Sequence, residues 1–272
     1  MTATTAPADF NGRAVIVTGA AQGIGRAVAL RLHRGGAAVA VLDRDLAGAR
    51  AVAEGITAAG GHALALRCDL TRDREVAAAI ADAVETFGHL DALHANAGIQ
   101  RYGTALQVSE AEWDELLDAN VKATFLTVRH ALPHLVASGH GSVCLTSSVQ
   151  AFATQRGVVH YTTSKAALVG MCRALAVDHA AQGVRVNCVC PGSVDTPMLR
   201  AAAARFAGPA RLSPDDLVRR WGQSHPLGRV GTADEVAEVV AFLLSDRAAF
   251  VTGVAVPVDG GLSAQLGAIL PE

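Results

Sequence analysis

The sequence predicts a single α/β domain in which a doubly wound, mostly parallel sheet carries helices on both faces. Three observations predict it. Short apolar runs alternate with helix-length amphipathic segments along nearly the whole chain, the rhythm of βαβ units with right-handed crossovers. Of the 272 residues, 51% are hydrophobic and only 18% charged, which suits central strands covered on both faces. No repeat or low-complexity linker divides the chain, and its length suits one large core.

Residues 1–10 are small and polar and read as a disordered tail, so the domain is expected over 11–263, with a second tail at 264–272. Structure begins with an apolar run at 13–18 that breaks into Gly19-Ala-Ala-Gln22-Gly23-Ile24-Gly25 and then into a helical pattern to 34. Glycines let the backbone turn tightly and approach a ligand, while the helix start offers unpaired N–H groups to a diphosphate. Taken alone, the same pattern fits an ordinary βα turn. Its context adds weight: the next strand, 37–42, ends at Asp43, about twenty residues on, where a dinucleotide fold places a carboxylate on the adenosine ribose. That carboxylate accepts hydrogen bonds from a free 2′-hydroxyl and repels a 2′-phosphate, which favours NAD over NADP. Arg44 complicates the choice, because its guanidinium could meet a 2′-phosphate if Asp43 turned away; the alternative is that it stacks on adenine or faces solvent.

A helix over 45–59 leads to a strand at 62–67 that ends in Cys68-Asp69-Leu70, and a helix over 74–87 leads to a strand at 90–95 that ends in Asn96-Ala97-Gly98. Asn120 falls inside an amphipathic segment, 113–135, where asparagine is a mediocre helix former; by default it is a solvent-facing or kinking residue. The apolar run 142–146 reads as a buried strand that delivers Ser148 to a sheet edge. From Tyr161 a helix follows, which puts Tyr161 and Lys165, four apart, on one face. A strand at 184–190 ends in Pro191-Gly192-Ser-Val194-Asp-Thr196. The region 198–225 then interrupts the rhythm and reads as a lid, before a helix at 233–244 and a last strand at 255–258. Gly19, Asp43, Asp69, Asn96 and Ser148 all stand at carboxyl ends of strands, so they should line one crevice.

Other function classes recede. A formal charge of -2 gives no electrostatic footprint for nucleic acid or an anionic membrane. The first residues lack the basic start and apolar core of a secretory signal, and no run approaches the ~18 apolar residues of a membrane span. A cytoplasmic protein is expected. Five cysteines sit in apolar surroundings without disulfide or zinc spacing, and ten histidines show no HExxH pattern, so reduced structural thiols and no metal site are expected.

Ordered along the chain, Thr18-Gly-Ala-Ala-Gln-Gly-Ile-Gly25, Asp69, Asn96-Ala-Gly98, Asn120, Ser148, Tyr161-Thr-Thr-Ser-Lys165, Pro191-Gly192 and Asp259-Gly-Gly261 resemble the short-chain dehydrogenase/reductase family from Arg13 to about Ser263. The resemblance implies a Rossmann fold and hydride exchange between NAD, or NADP, and an alcohol or ketone. It implies Tyr161 as general acid/base, with Lys165, Ser148 and Asn120 completing a tetrad: Lys165 to stabilise the phenolate, Ser148 to orient the substrate oxygen, and Asn120 to hold a water linking Lys165 to solvent. It further implies cofactor contacts from Gly19, Gln22, Gly23, Ile24, Gly25, Asp43 and Arg44, from Asp69 and Leu70, from Asn96, Ala97 and Gly98, from Tyr161 and Lys165, the latter to the nicotinamide ribose, and from Pro191, Gly192, Val194 and Thr196. Ala95 stands where many relatives carry another Asn, which leaves Asn96 intact. Gln100 and Gln150 fall where relatives often touch substrate; His160, just before the tyrosine, is a further substrate candidate with packing or solvent as its alternative. The two amides favour a polar substrate such as a polyol, sugar or hydroxy acid. An NADP-dependent carbonyl or 3-oxoacyl reductase is the alternative; a non-catalytic nucleotide sensor has no need for the intact tetrad. Relatives usually form homotetramers or homodimers, and the Ala-rich helix after Lys165 is compatible with that.

Overall fold

The computed structural model describes residues 9–265. Seven strands, β1 (Ala14–Thr18), β2 (Ala38–Asp43), β3 (Ala63–Arg67), β4 (Ala92–Ala95), β5 (Ser142–Thr146), β6 (Arg185–Pro191) and β9 (Ala255–Val258), form one sheet in the order β3-β2-β1-β4-β5-β6-β9. Every pairing is parallel. Two short strands, β7 (Val194–Asp195) and β8 (Gly231–Thr232), pair separately above it.

Alternation within each strand divides the core. Val15, Val17, Val39 and Val41 face helices α1 (Gly23–Arg34), α2 (Leu46–Ala58) and α9 (Ala233–Leu244). Ile16, Ala40, Leu42 and Leu93 face α3 (Asp73–Phe87), α5 (Ala123–Ala137) and α6 (Val159–His179). Both faces are covered, which is why the strands read as unbroken apolar runs rather than alternating ones. All five cysteines are buried, free thiols within this packing. Among the described residues no helix is long and apolar enough to cross a membrane.

Residues 1–8 and 266–272, most of the two expected tails, lie outside the described residues. Phe10 is a correction to the N-terminal one. Its side chain is fully buried in the core and its N–H donates to the Gly35 carbonyl at 2.9 Å, so the ordered fold begins before residue 11.

A second difference concerns the amphipathic segment around Asn120. Its helix is broken into α4 (Glu110–Leu117) and α5 by a π-helical turn, Asp118–Lys122. A π turn accommodates one extra residue and is often found at functional sites. Asn120 lies in it fully buried, not facing solvent. The 198–225 region is mainly helical, forming α7 (Pro197–Ala210) and α8 (Pro214–Gly222) with Arg211 in the left-handed region between them.

Candidate active site

The strand order reverses between β1 and β4, and the loops there diverge to leave a crevice beyond the strand ends. A single cleft of about 850 Å³ occupies it. Gly19, Gln22, Gly23, Ile24, Asp43, Arg44, Asp69, Leu70, Asn96, Ala97, Gly98, Ser148, Tyr161, Lys165, Pro191, Gly192, Val194 and Thr196 line it, together with Gln100 and Gln150.

Three predicted residues do not line it. Gly25 packs beneath the turn, where a Cβ would come 2.2 Å from the Gly19 carbonyl oxygen, so its place is to let helix meet strand closely. Asn120 lies behind Lys165. His160, with packing as its alternative to substrate contact, is buried outside the cleft, where the charges acting on it are Glu112 of α4 and Arg101. Burial holds its imidazole below the ordinary range, so it packs as a neutral ring.

The floor of the crevice is stitched across the switch point. Thr18 Oγ1 accepts N–H bonds from Asn96 at 3.0 Å and Ala97 at 3.2 Å, and Asn96 Nδ2 returns bonds to the carbonyls of Thr18 and Gly19 at 3.1 and 3.2 Å. Gly19 itself adopts φ +61, and a Cβ there would strike Ala97 Cα at 2.8 Å. Helix α1 then starts at Gly23 with no capping side chain and no acid in its first turn, so its orphan N–H groups and positive dipole end face the cleft. At the next strand end the Asp43 carboxylate is aimed by two N–H donors, Ala21 and Asp45, each at 3.0 Å. Asp69 accepts from the Thr71 hydroxyl at 2.7 Å, the largest of the hydrogen bonds that hold its carboxyl below the usual range. A glycine cradle, an uncapped helix start and an oriented carboxylate fit a dinucleotide: diphosphate at α1, adenosine ribose at Asp43.

At the other end, Ser148 caps a short helical turn, its Oγ accepting from the Gln150 N–H at 3.1 Å. That leaves its hydroxyl proton free to be donated. Tyr161 and Lys165 emerge from one face of α6 as the spacing predicts, with Nζ 5.6 Å from the centre of the phenol ring. Lys165 Nζ donates to the Thr146 carbonyl at 2.9 Å, while Ser147 Oγ donates to the Lys165 carbonyl at 2.6 Å, so β5 and α6 hold each other in register. Burial pushes the Tyr161 phenol up to about 12, opposed by the Ser148 hydroxyl, and pushes the Lys165 amine down to about 8. Desolvation thus dominates both groups.

Asn120 gains its partners through the π turn. Its Oδ1 accepts from the Ile99 N–H at 2.8 Å, and its Nδ2 donates to the Ile99 carbonyl and to Ser164 Oγ, both at 3.0 Å. Both N–H donors are spent inside the protein, so the amide ties the loop after β4 to the helix that carries Tyr161 and Lys165.

Sequence reasoning missed the far wall. Tyr102 and Phe206 meet edge to face, centroids 4.8 Å apart, with the Arg205 guanidinium over both rings. Met198, Leu199, Leu217 and Trp221 extend this apolar surface from α7 and α8. His225 bridges the end of α8 to the Pro191 loop: Nε2 accepts from the Ser193 N–H at 3.1 Å and Nδ1 donates to the Trp221 carbonyl at 3.0 Å. Beneath the floor His94 Nε2 lies 2.9 Å from Thr146 Oγ1, and burial pushes its imidazole down to about 3. No motif announces these residues; only the aromatic content of an otherwise aromatic-poor chain, 4%, singles out Tyr102, Phe206 and Trp221.

This geometry and sequence comparison agree on the class: the chain belongs to the short-chain dehydrogenase/reductase family, oxidoreductases that act on hydroxyl or keto groups with NAD(P). A family profile described as Enoyl-(Acyl carrier protein) reductase matches residues 19–263. Among relatives, the short-chain reductase protein NovJ of Streptomyces niveus is 39% identical over 95% of this chain and 97% of its own. The cis-4-hydroxycyclohexanecarboxylate dehydrogenase of Sinomonas cyclohexanicum is 38% identical over 94% and 98% of the two chains. The ligand-free structure of the aldohexose dehydrogenase of Thermoplasma acidophilum superposes with a TM-score of 0.87 at 36% identity, covering 97% of this chain and 99% of that one.

Proposed function

We infer that this protein is an NAD(H)-dependent dehydrogenase of secondary alcohols borne on a compact ring, with Tyr161 as general acid/base. The observation that carries the reading is one continuous cleft with Asp43 at one end and Ser148, Tyr161 and Lys165 at the other. NAD supplies hydride acceptance when bound. The protein's part is to hold the alcohol oxygen and move its proton. Ser148 donates its free hydroxyl proton to that oxygen, and the Tyr161 phenolate removes the alcohol proton; reduction of a ketone reverses the transfer. Lys165 supplies positive charge beside the phenol and offsets the burial that raises it. Asn120 acts from behind by fixing α6 against the Ile99 loop, and a water beside it is the proposed link from Lys165 to solvent.

Asp43 supports NAD, because its fixed carboxylate would face a 2′-phosphate. One observation favours the NADP-dependent carbonyl or 3-oxoacyl reductase instead: Arg44 lines the same rim. For the substrate, Gln100 and Gln150 supply polar contacts, but the Tyr102, Phe206 and Trp221 wall adds apolar area that a wholly polar polyol would not use. A ring alcohol with polar substituents satisfies both, in keeping with the names of the cyclohexanecarboxylate and aldohexose relatives.

Helices α7 and α8 form the substrate lid of this proposal. Assembly as a homotetramer or homodimer is part of it too, supported by exposed apolar side chains on α5 and α6, Phe125 and Val177, and near the β9 edge, Phe242, Phe250 and Val254. So is a cytoplasmic setting with small-molecule substrates as the partners. The test is steady-state absorbance with NAD and NADP across cyclohexanols, hydroxycyclohexanecarboxylates, aldohexoses, linear polyols and oxoacyl thioesters. The expected result is ring-alcohol oxidation with kcat/KM at least about tenfold higher for NAD; oxoacyl reduction with NADPH alone would overturn the reading.

A further inference from the structure

The acids that line the cleft are confined to one end, where Arg44 stands beside them. Both carboxylates, Asp43 and Asp69, stand at the ends of β2 and β3 in the adenosine half. Among the described residues, the substrate half holds Arg156, Lys165 and His225 and no acid. Two of these three are committed. Lys165 donates to the Thr146 carbonyl, and both nitrogens of His225 are engaged, with the Ser193 N–H and the Trp221 carbonyl. Arg156 is exposed, lines the cleft, and has no hydrogen bond or ion pair with any of the described residues.

The loop that carries Arg156 is held on both sides. Thr154 Oγ1 lies 2.6 Å from Thr162 Oγ1, and the Gly157 carbonyl accepts from the Gly103 N–H at 2.7 Å, next to Tyr102. The guanidinium therefore stands over a short, pinned segment that ends at Tyr161 and runs beside the Tyr102–Phe206 wall. A guanidinium presents a planar fork matched to a carboxylate and binds it with two parallel charge-assisted hydrogen bonds.

We propose that Arg156 is a specificity-determining anion anchor and that the substrate is a ring alcohol bearing a carboxylate. The hydroxyl end meets Ser148 and Tyr161, the ring lies against Tyr102 and Phe206, and the carboxylate pairs with Arg156. This inference rests on the ring-alcohol reading above and adds the charge of the substrate to it.

Matched probes test it. The full-length protein is assayed with NAD on 3- and 4-hydroxycyclohexanecarboxylate, on the corresponding neutral carboxamides and on cyclohexanol, in the wild type, Arg156→Gln and Arg156→Lys. Arg156 is exposed, so both variants keep the fold. The wild type is expected to favour a carboxylate over its amide at least tenfold in kcat/KM. Arg156→Gln removes at least tenfold of that preference, through KM rather than kcat, and Arg156→Lys retains part of it because a point charge replaces the fork. Equal wild-type rates on acids and amides, or a preference that survives Arg156→Gln, overturns the anchor while cyclohexanol oxidation leaves the ring-alcohol reading standing. Failure to oxidise any ring alcohol, with cofactor binding followed by NADH fluorescence, overturns both.

Discussion

The adenosine half of the cleft and the substrate half are built from different material. The first is made of backbone: a glycine turn, the bare start of α1, and strand ends whose side chains are aimed by neighbouring N–H groups. The second is made of side chains that arrive from distant segments, Tyr102 after β4, Gln150 after β5, Phe206 and Trp221 from α7 and α8. A surface fixed by backbone geometry tolerates few substitutions and recognises one ligand. A surface of side chains on two helices can change its specificity without disturbing the sheet.

Substitutions in each half can break or sharpen this contrast. The largest effect is expected at the point where the halves meet: Tyr161→Phe keeps the aromatic packing but removes the proton carrier, and should lower kcat by about 10³-fold or more while NADH binding, read by fluorescence, persists. Next, Asp43→Ala in the adenosine half should reduce the ratio of kcat/KM for NAD over NADP by about tenfold, ~1.4 kcal/mol, across every alcohol tested. A substrate-dependent change would mean the halves are not separable. In the substrate half, Phe206→Ala removes one member of the Tyr102 pair and should raise KM for ring alcohols by about fivefold with the KM for NAD little changed, since such aromatic pairs contribute about 0.5–1.5 kcal/mol.

A last effect is expected on stability rather than on activity. Lys165 has its amine pushed down to about 8 from an ordinary 10.5 by burial. Between those values the unfolded chain binds a proton that the folded one has released, so this group makes stability rise with pH in that window; below 8 it costs the desolvation of a buried charge. Chemical denaturation of the wild type and Lys165→Met should therefore show the difference moving in favour of the wild type above pH 8, by about 1 kcal/mol per pH unit. A flat difference would place Lys165 in solvent.

The same contrast explains what could be read from the sequence. Strand ends are legible because an apolar run followed by Gly, Asp or Asn marks where a parallel strand stops, and the doubly wound topology brings those ends together; Gly19, Asp43, Asp69, Asn96 and Ser148 line one cleft for that reason. Tyr161 and Lys165 are legible because helical spacing is local. Asn120 is a mid-helix oddity by periodicity, since its inward turn depends on a π bulge that no periodicity encodes, and only the family resemblance marks it as a site residue. For His160 proximity to Tyr161 does not decide between substrate and packing, since one helical step turns it about 100° away, towards Glu112. Phe10 was lost in a tail judged by composition, and the Tyr102, Phe206, Trp221 and His225 wall depends on how α7 and α8 fold back over the cleft, a contact between segments far apart in the chain.

The central claim is that the two halves serve one reaction, in which hydrogen leaves the alcohol carbon as hydride while its hydroxyl proton goes to Tyr161. Oxidation of a ring alcohol deuterated at the carbinol carbon, with mass measurement of the reduced cofactor, tests it directly. The account predicts that each turnover adds one deuterium to the recovered NADH. Ketone formed with the deuterium released to solvent, or no ketone despite bound NAD, would contradict it.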